Sequence, residues 1–251
     1  VVSQKFNVLK TEEQLYAKKE ESLSNIIKVD SYKNNFYAIN KAGQVYVWGE
    51  GYEAPTLIET VVEIENISGN LLLGKDGLVY LLESPDQAIE YLSNVCSVEQ
   101  GENHNLFVTL EGYVYSLGTG TVGQLGIGIY KDVEAPTLVR TENGYLTNVL
   151  EISAGNKSSM AVTFDGKGYV WGDNTNIKLG IEDQNKEFAV EINEFQDKLG
   201  NIIDVKSIDI IETGKNHSLL SDKNGFVYFV WDGMSELEIY QSNGITYGIM
   251  N

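Results

Sequence analysis

The chain has two imidazoles, His104 and His217. An imidazole works as a general base, a proton shuttle or a metal ligand when partners converge on it. Each stands eight residues before a turn glycine, Gly112 and Gly225, and Ser158 takes the same place before Gly166. Occupancy of one recurring position, with Ser as a substitute, favours a structural hydrogen bond over catalysis. No Ser-His-Asp or paired-carboxylate arrangement stands out. No catalytic residue, metal ligand or cofactor is expected.

Other groups weigh similarly. Asp173-Asn174-Thr175-Asn176 offers oxygen ligands but lacks the spacing and closing carboxylate of a helix-loop-helix calcium site, so a solvated loop is expected. Gly118-Thr119-Gly120-Thr121-Val122-Gly123 spells a dinucleotide fingerprint, which needs a following helix inside a βαβ unit; another Gly-rich loop follows instead. The single cysteine, Cys96, allows no intrachain disulfide and is read as a small core residue in Val95-Cys96-Ser97-Val98. Trp48 and Trp171 are read as core between sheets.

The elements that position these residues form a repeat. A turn dipeptide precedes a Tyr-bearing strand five times: Ala42-Gly43 before Tyr46, Asp76-Gly77 before Tyr80, Glu111-Gly112 before Tyr115, Asp165-Gly166 before Tyr169, and Asn224-Gly225 before Tyr228. Asp-Gly and Asn-Gly supply the positive φ that a tight hairpin needs. A degenerate copy, Phe6 to Leu9 before Gln14-Leu15-Tyr16, opens the chain. Each turn follows an apolar pair such as Phe107-Val108 or Ala161-Val162, and Gly101, Gly155 and Gly214 stand eleven residues before their turn glycines. β-Branched segments (Ile26 to Val29, Val61 to Ile64, Val149 to Ile152, Ile208 to Ile211) supply a first strand, and Pro55 to Ile58 or Pro136 to Val139 a fourth.

Four short strands per unit is the propeller blade. The reading is all-β: one β-propeller domain over residues 1–251, of six four-stranded blades. The segment Ile245 to Met250 is expected to close it by joining the N-terminal blade; a five-bladed ring or an open arc are the alternatives. Closure removes sheet edges that would otherwise pair with other chains.

Net charge is −18, with 36 Asp and Glu against 18 Lys and Arg. Such a surface repels phosphate backbones, so nucleic acid is not expected as a partner. No apolar run approaches the ~18 residues of a membrane span, and no membrane insertion is expected.

Gly118 to Gly126 with its Gln124-Leu125-Gly126, Gly155 to Ala161 leading into Tyr169-Val170-Trp171-Gly172 and Lys178-Leu179-Gly180, and Gly214-Lys215-Asn216-His217-Ser218 together resemble the repeat of the regulator-of-chromosome-condensation family. The resemblance covers residues ~95–230 and implies a propeller, usually of seven blades. It also implies kinship with a founding member that is a nucleotide-exchange factor docking on chromatin. Several repeats here lack the Gln-Leu-Gly loop.

Function on such a scaffold sits in loops. Inserts cluster at Thr119 to Ala135, Asp173 to Glu187 and Glu194 to Lys206. The binding candidates are Thr119, Tyr130, Asp132, Asp173, Asn174, Asn176, Glu182 and Asp183. The expectation is a non-enzymatic protein-binding or surface-recognition module, within a larger bacterial-surface or phage-tail-like assembly. Its partner would be a protein or a cell-surface ligand, and its location extracellular or virion-like rather than cytoplasmic. A guanine-nucleotide-exchange-type regulator and a glycan-binding propeller are the alternatives.

Overall fold

The computed structural model describes residues 7–11, 14–18, 23–181, 184–196, 202–231 and 238–241. Two compact units emerge, Val1–Ile89 and Glu90–Asn251.

The first unit contains a hairpin, Asn7–Thr11 paired with Gln14–Lys18, and two four-stranded antiparallel sheets. The first sheet runs Ile26–Tyr32, Asn35–Asn40, Val45–Gly49, Tyr52–Ile58. The second runs Ile64–Ser68, Leu71–Gly74, Val79–Leu81, Ser84–Ala88. The second unit contains three more. The third sheet is Val95–Gln100, His104–Thr109, Val114–Gly118, Val133–Leu138. The fourth is Val149–Ala154, Ser158–Thr163, Gly168–Gly172, Lys186–Ile192. The fifth is Ile208–Thr213, His217–Asp222, Phe226–Trp231, Glu238–Gln241. Strands pair in chain order in every sheet. Among the described residues the only helix is one 3-10 turn, Thr175–Ile177. The chain is all-β, built of four-stranded propeller-type sheets. Ile245 to Met250, expected to close a ring, lie outside the described residues.

The repeated turn has a single cause. Gly43, Gly77, Gly112, Gly166 and Gly225 hold φ between 74 and 84°, a region that costs an L side chain energy. Each donates its N–H back three residues, as from Gly112 to the Thr109 carbonyl at 2.8 Å. Three of these glycines then accept a bond from the following sheet: Ile64 N–H to Gly43, Val149 N–H to Gly112 and Ile208 N–H to Gly166, at 2.8–3.1 Å. The turn that ends one hairpin therefore anchors the first strand of the next sheet.

Cores form between successive sheets within each unit. In the first unit Tyr37, Ile39, Val45 and Val47 pack with Ile64, Ile67, Leu72 and Tyr80. In the second, Leu106, Val108 and Val114 meet Val149, Ile152, Ala161 and Trp171, and Met160, Val162 and Val170 meet Ile208, Ile211, Leu220 and Tyr228. The second strand of the fourth sheet, Ser158–Thr163, is buried at every position. Both its faces are covered, so apolar residues run consecutively instead of alternating.

Two expectations are corrected. Cys96 is exposed, not core. A register shift between Val95 and Ser97 makes a bulge, and the extra residue of a bulge is left out of the pleat. The same shift recurs in the first strand of every sheet, and it leaves Ile27 and Leu150 about half exposed. The second sheet starts at Ile64, so Val61 to Glu63 form its approach.

Candidate functional site

The second unit's sheets have two ends. At one end lie the tight turns. At the other the second strands begin, the third strands finish, and the two long loops emerge, 119–132 from the third sheet and 173–185 from the fourth.

Three glycines line this loop end. A Cβ on Gly101 would lie 2.5 Å from the Gly155 carbonyl, and one on Gly155 would lie 2.4 Å from the Gly214 carbonyl. The backbones of three successive sheets touch here, and only glycine permits it. Hydrogen bonds follow the same steps: Glu102 N–H to the Gly155 carbonyl at 3.1 Å and Asn156 N–H to the Gly214 carbonyl at 3.3 Å.

Beside the first glycine, His104 is 1% exposed. Its Nε2 is 2.9 Å from Ser159 Oγ. Ser159 donates its hydroxyl proton to the Gln124 carbonyl at 2.8 Å, so Nε2–H must donate to Ser159. Nδ1 is then the acceptor nitrogen, and it is buried with no hydrogen-bond partner among the described residues. Burial pushes the imidazole down to about 4, so His104 is neutral at physiological pH. It is a structural donor, as its recurrence implied. His217 is half-buried and stacks on Phe229, with centroids 6.1 Å apart.

The Gln-Leu-Gly loop of the third sheet docks on the fourth. The Gln124 carbonyl also accepts from Trp171 Nε1 at 2.9 Å, and the Trp171 side chain is fully buried. Gly126 (φ +65°) lies against that indole, where a Cβ would sit 2.8 Å from the ring. Ser116 Oγ–H holds the Leu125 carbonyl at 2.7 Å. Further out, Ile127 bridges to Phe188, and Gly128 N–H donates to the Glu187 carbonyl at 2.9 Å. Trp48 is less enclosed and stacks on Phe36 at 5.9 Å.

The candidate binding residues divide by this geometry. Thr119 N–H bonds the Asn103 carbonyl at 2.8 Å. Asp132 Oδ1 accepts Gly120 N–H at 2.9 Å and clamps the loop. The Tyr130 hydroxyl donates to the Asn185 carbonyl at 3.1 Å while half its ring stays exposed. The neighbouring Glu187 carboxylate and burial push that phenol up to about 12. Asp173 pairs with Lys178 Nζ at 2.7 Å and caps Thr175 through its hydroxyl and N–H. Burial would raise the Asp173 carboxyl, but Lys178 and Thr175 hold it below its usual range. Asn174 is buried, its Oδ1 accepting Leu179 N–H at 2.9 Å and its Nδ2 donating to the Ile181 carbonyl at 3.2 Å. Asp173, Asn174 and Thr175 are thus satisfied by the loop's own groups. Asn176 falls within the 3-10 turn, and Glu182 and Asp183 lie outside the described residues.

Ser159, Lys178 and Asn185 complete the site, and residue type alone does not mark them. Lys178 stands where the other loop has Gln124, a match visible in the aligned Gln124-Leu125-Gly126 and Lys178-Leu179-Gly180. Its ammonium is 5% exposed and reaches both Asp173 and, at 3.4 Å, the Lys215 carbonyl of the next sheet. Among the described residues no group of His, Cys, Asp and Glu could hold a metal ion.

The family described as "Regulator of chromosome condensation (RCC1) repeat" matches residues 111–162. Protein pim1 of Schizosaccharomyces pombe is 32% identical over 182 residues, 67% of this chain and 31% of that protein. Human HERC2, named an E3 ubiquitin-protein ligase, is 29% identical over 180 residues, 71% of this chain and 4% of that protein. The chain spans less than a third of the length of these curated relatives. The crystal structure of Prp20p from Saccharomyces cerevisiae, reported with its binding properties to Gsp1p and histones, matches with a TM-score of 0.67 at 18% identity. That match covers 81% of this chain and 57% of that one.

These relatives overturn three expectations. A module of a bacterial surface or phage tail does not fit similarity to fission-yeast, budding-yeast and human proteins. An extracellular or virion-like location falls with it, since a lone cysteine never distinguished that setting from a reducing cell interior. The exclusion of enzymatic function also gives way, because a ligase is among the relatives and the alternative of nucleotide exchange is the better supported one.

Proposed function

The chain is an RCC1-like repeat protein, and from that premise we propose that it belongs to a guanine-nucleotide-exchange-type regulator whose partner is a small GTPase. The observation that carries this reading is the similarity to pim1 over 182 residues, which runs far beyond a single repeat. The Prp20p structure, with its stated binding to Gsp1p, supports a protein partner.

Exchange requires a surface that stabilises the nucleotide-free GTPase more than the loaded one. A rigid, pre-organised surface does this at least entropic cost. The loop end of the second unit has that character. Its two loops are bonded to each other through Tyr130 and Asn185, and Gly128 of the first bonds Glu187 on the strand that follows the second. They present Ile129, Tyr130 and Ile177, each about half exposed, as anchors. Thr119, Asp132, Asp173 and Asn174 shape the loops, and Tyr130 makes contact. The same reading takes residues 1–251 as one propeller domain of six blades, closed by residues 245–250 beside the Asn7–Lys18 hairpin. Disulfide trapping of Val8→Cys with Thr246→Cys, in a Cys96→Ser background, tests that closure.

The functional test is release of fluorescent GDP from a purified small GTPase of the Gsp1 kind. Acceleration by the chain, reduced about tenfold or more by Ile129→Asp with Tyr130→Ala, is the expected result. Release at the intrinsic rate overturns the reading.

A further inference from the structure

The opposite end of the second unit carries a feature that the exchange reading does not use. In every sheet the residue two before the turn glycine sits at the hairpin tip: Lys41, Lys75, Leu110, Phe164 and Lys223. All five tips share one backbone bond, donating to the residue just before the first strand or its bulge: Lys41 N–H to Asn25, Lys75 to Glu63, Leu110 to Asn94, Phe164 to Asn148, and Lys223 to Ser207. The geometry is the same, and three sheets place a solvated lysine there. The third and fourth sheets instead place Leu110, 73% exposed, and Phe164, 60% exposed.

These two tips are neighbours. The turn of the third sheet packs on Asn148, which a Cβ on Gly112 would approach to 3.1 Å, and the Asn148 carbonyl takes the Phe164 N–H at 3.0 Å. Tyr113, Leu150 and, three residues before Asn94, Tyr91 extend the exposed apolar surface at this end. Each apolar tip is followed by a carboxylate, Glu111 or Asp165. Its own backbone N–H and the Asn94 amide hold the Glu111 carboxyl below its usual range. The Thr163 hydroxyl, with Asn148 further down in effect, does the same for Asp165. Both stay ionised at neutral pH.

We propose that the Leu110–Glu111 and Phe164–Asp165 tips form a second docking surface, which takes a basic protein segment carrying an apolar anchor. Two apolar side chains left mostly exposed side by side, where the repeat otherwise accepts lysine, gain little from folding and mark an interaction site. Charge decides the occupant. Ionised carboxylates flank both tips, the two lysines that would repel a cationic partner are replaced, and the chain carries −18 overall. Acidic peptides and phosphate backbones are repelled, whereas a cationic segment is steered in.

The test titrates a fluorescent Lys/Leu amphipathic peptide, and a polylysine of equal length, against the wild-type chain and against Leu110→Lys with Phe164→Lys. That double variant installs the residue the other three sheets tolerate, and Leu110→Ser with Phe164→Ser serves as the uncharged counterpart. The expected result is tighter binding of the Lys/Leu peptide than of polylysine, weakened on the order of tenfold or more by both variants and by added salt. Unchanged affinity in both variants, or equal binding of the two peptides, overturns the proposal. GDP release by the GTPase should be the same for wild type and both variants, so this surface can fail or stand independently of the exchange reading.

Discussion

Trp171 Nε1–H donates to the Gln124 carbonyl at 2.9 Å, from a ring of the fourth sheet to a loop of the third. The same carbonyl takes the Ser159 hydroxyl at 2.8 Å, and Ser159 in turn receives the His104 imidazole N–H. Two side chains thereby hold one loop carbonyl, with His104 fixing the second of them, and the position of that loop sets where Ile129 and Tyr130 are presented.

Trp171→Phe keeps a ring in the buried site but removes the donor. The Gln124 carbonyl loses one of its two partners, at a cost of about 1–2 kcal/mol, and the indole volume is lost as well. Chemical denaturation should show the midpoint falling with an unchanged slope. Protease sensitivity should rise in 119–132 before it rises in the sheets.

Gly155→Ala adds one methyl group 2.4 Å from the Gly214 carbonyl. Backbone cannot yield there as a flexible side chain would, so a loss of about 2–3 kcal/mol is expected. Gly155 is not in the left-handed region, and the penalty therefore reports contact and not φ. Thermal unfolding checks it. A variant as stable as wild type would show that the close approach of the fourth and fifth sheets is not built as described.

His104 makes stability depend on pH in a definite direction. Its folded-state pKa, about 4, lies below the 6.5 of a free imidazole. Between those values the unfolded chain binds a proton that the folded chain refuses. Stability is therefore full above about pH 6.5 and falls as pH drops towards 4, by a total on the order of 3 kcal/mol. His104→Gln retains a donor for Ser159 and does not titrate. The difference in Tm between wild type and variant should shift steadily across that window, while a constant difference would mean that the imidazole is hydrated in the native state.

Lys178 and Asp173 form an ion pair with side chains 5% and 16% exposed. Among the described residues, Asp173→Ala leaves a nearly buried ammonium with the Lys215 carbonyl alone, and such losses cost about 3–5 kcal/mol. The double change Asp173→Ala with Lys178→Met should recover much of that loss. Additive losses in the double-mutant cycle would contradict coupling of the pair.

The legibility of this fold follows from what a repeat exposes. Asp-Gly and Asn-Gly turns and Tyr-bearing strands appear in sequence because their cause is local: positive φ and the pleat. Gly101, Gly155 and Gly214 were visible as a spacing, but the reason for them, a neighbouring sheet's carbonyl, is tertiary. Cys96 was misjudged because a bulge reverses the inside-outside alternation without changing composition. Asp173 and Asn174 were expected in a solvated loop, open to a partner. Their polar atoms turn inward to satisfy the loop's own backbone, a choice that residue type does not encode.

Under the proposed function, the chain favours a GTPase emptied of its nucleotide. Acceleration of release and preference for the empty form are linked by the same coupling free energy. Titration calorimetry of the chain against a Gsp1-type GTPase, once loaded with GDP and once stripped of it, measures that preference directly. The account expects the stripped form to bind at least about tenfold more tightly, with the gap narrowed by Tyr130→Ala. Equal affinity for the two forms, or binding to neither, would contradict it.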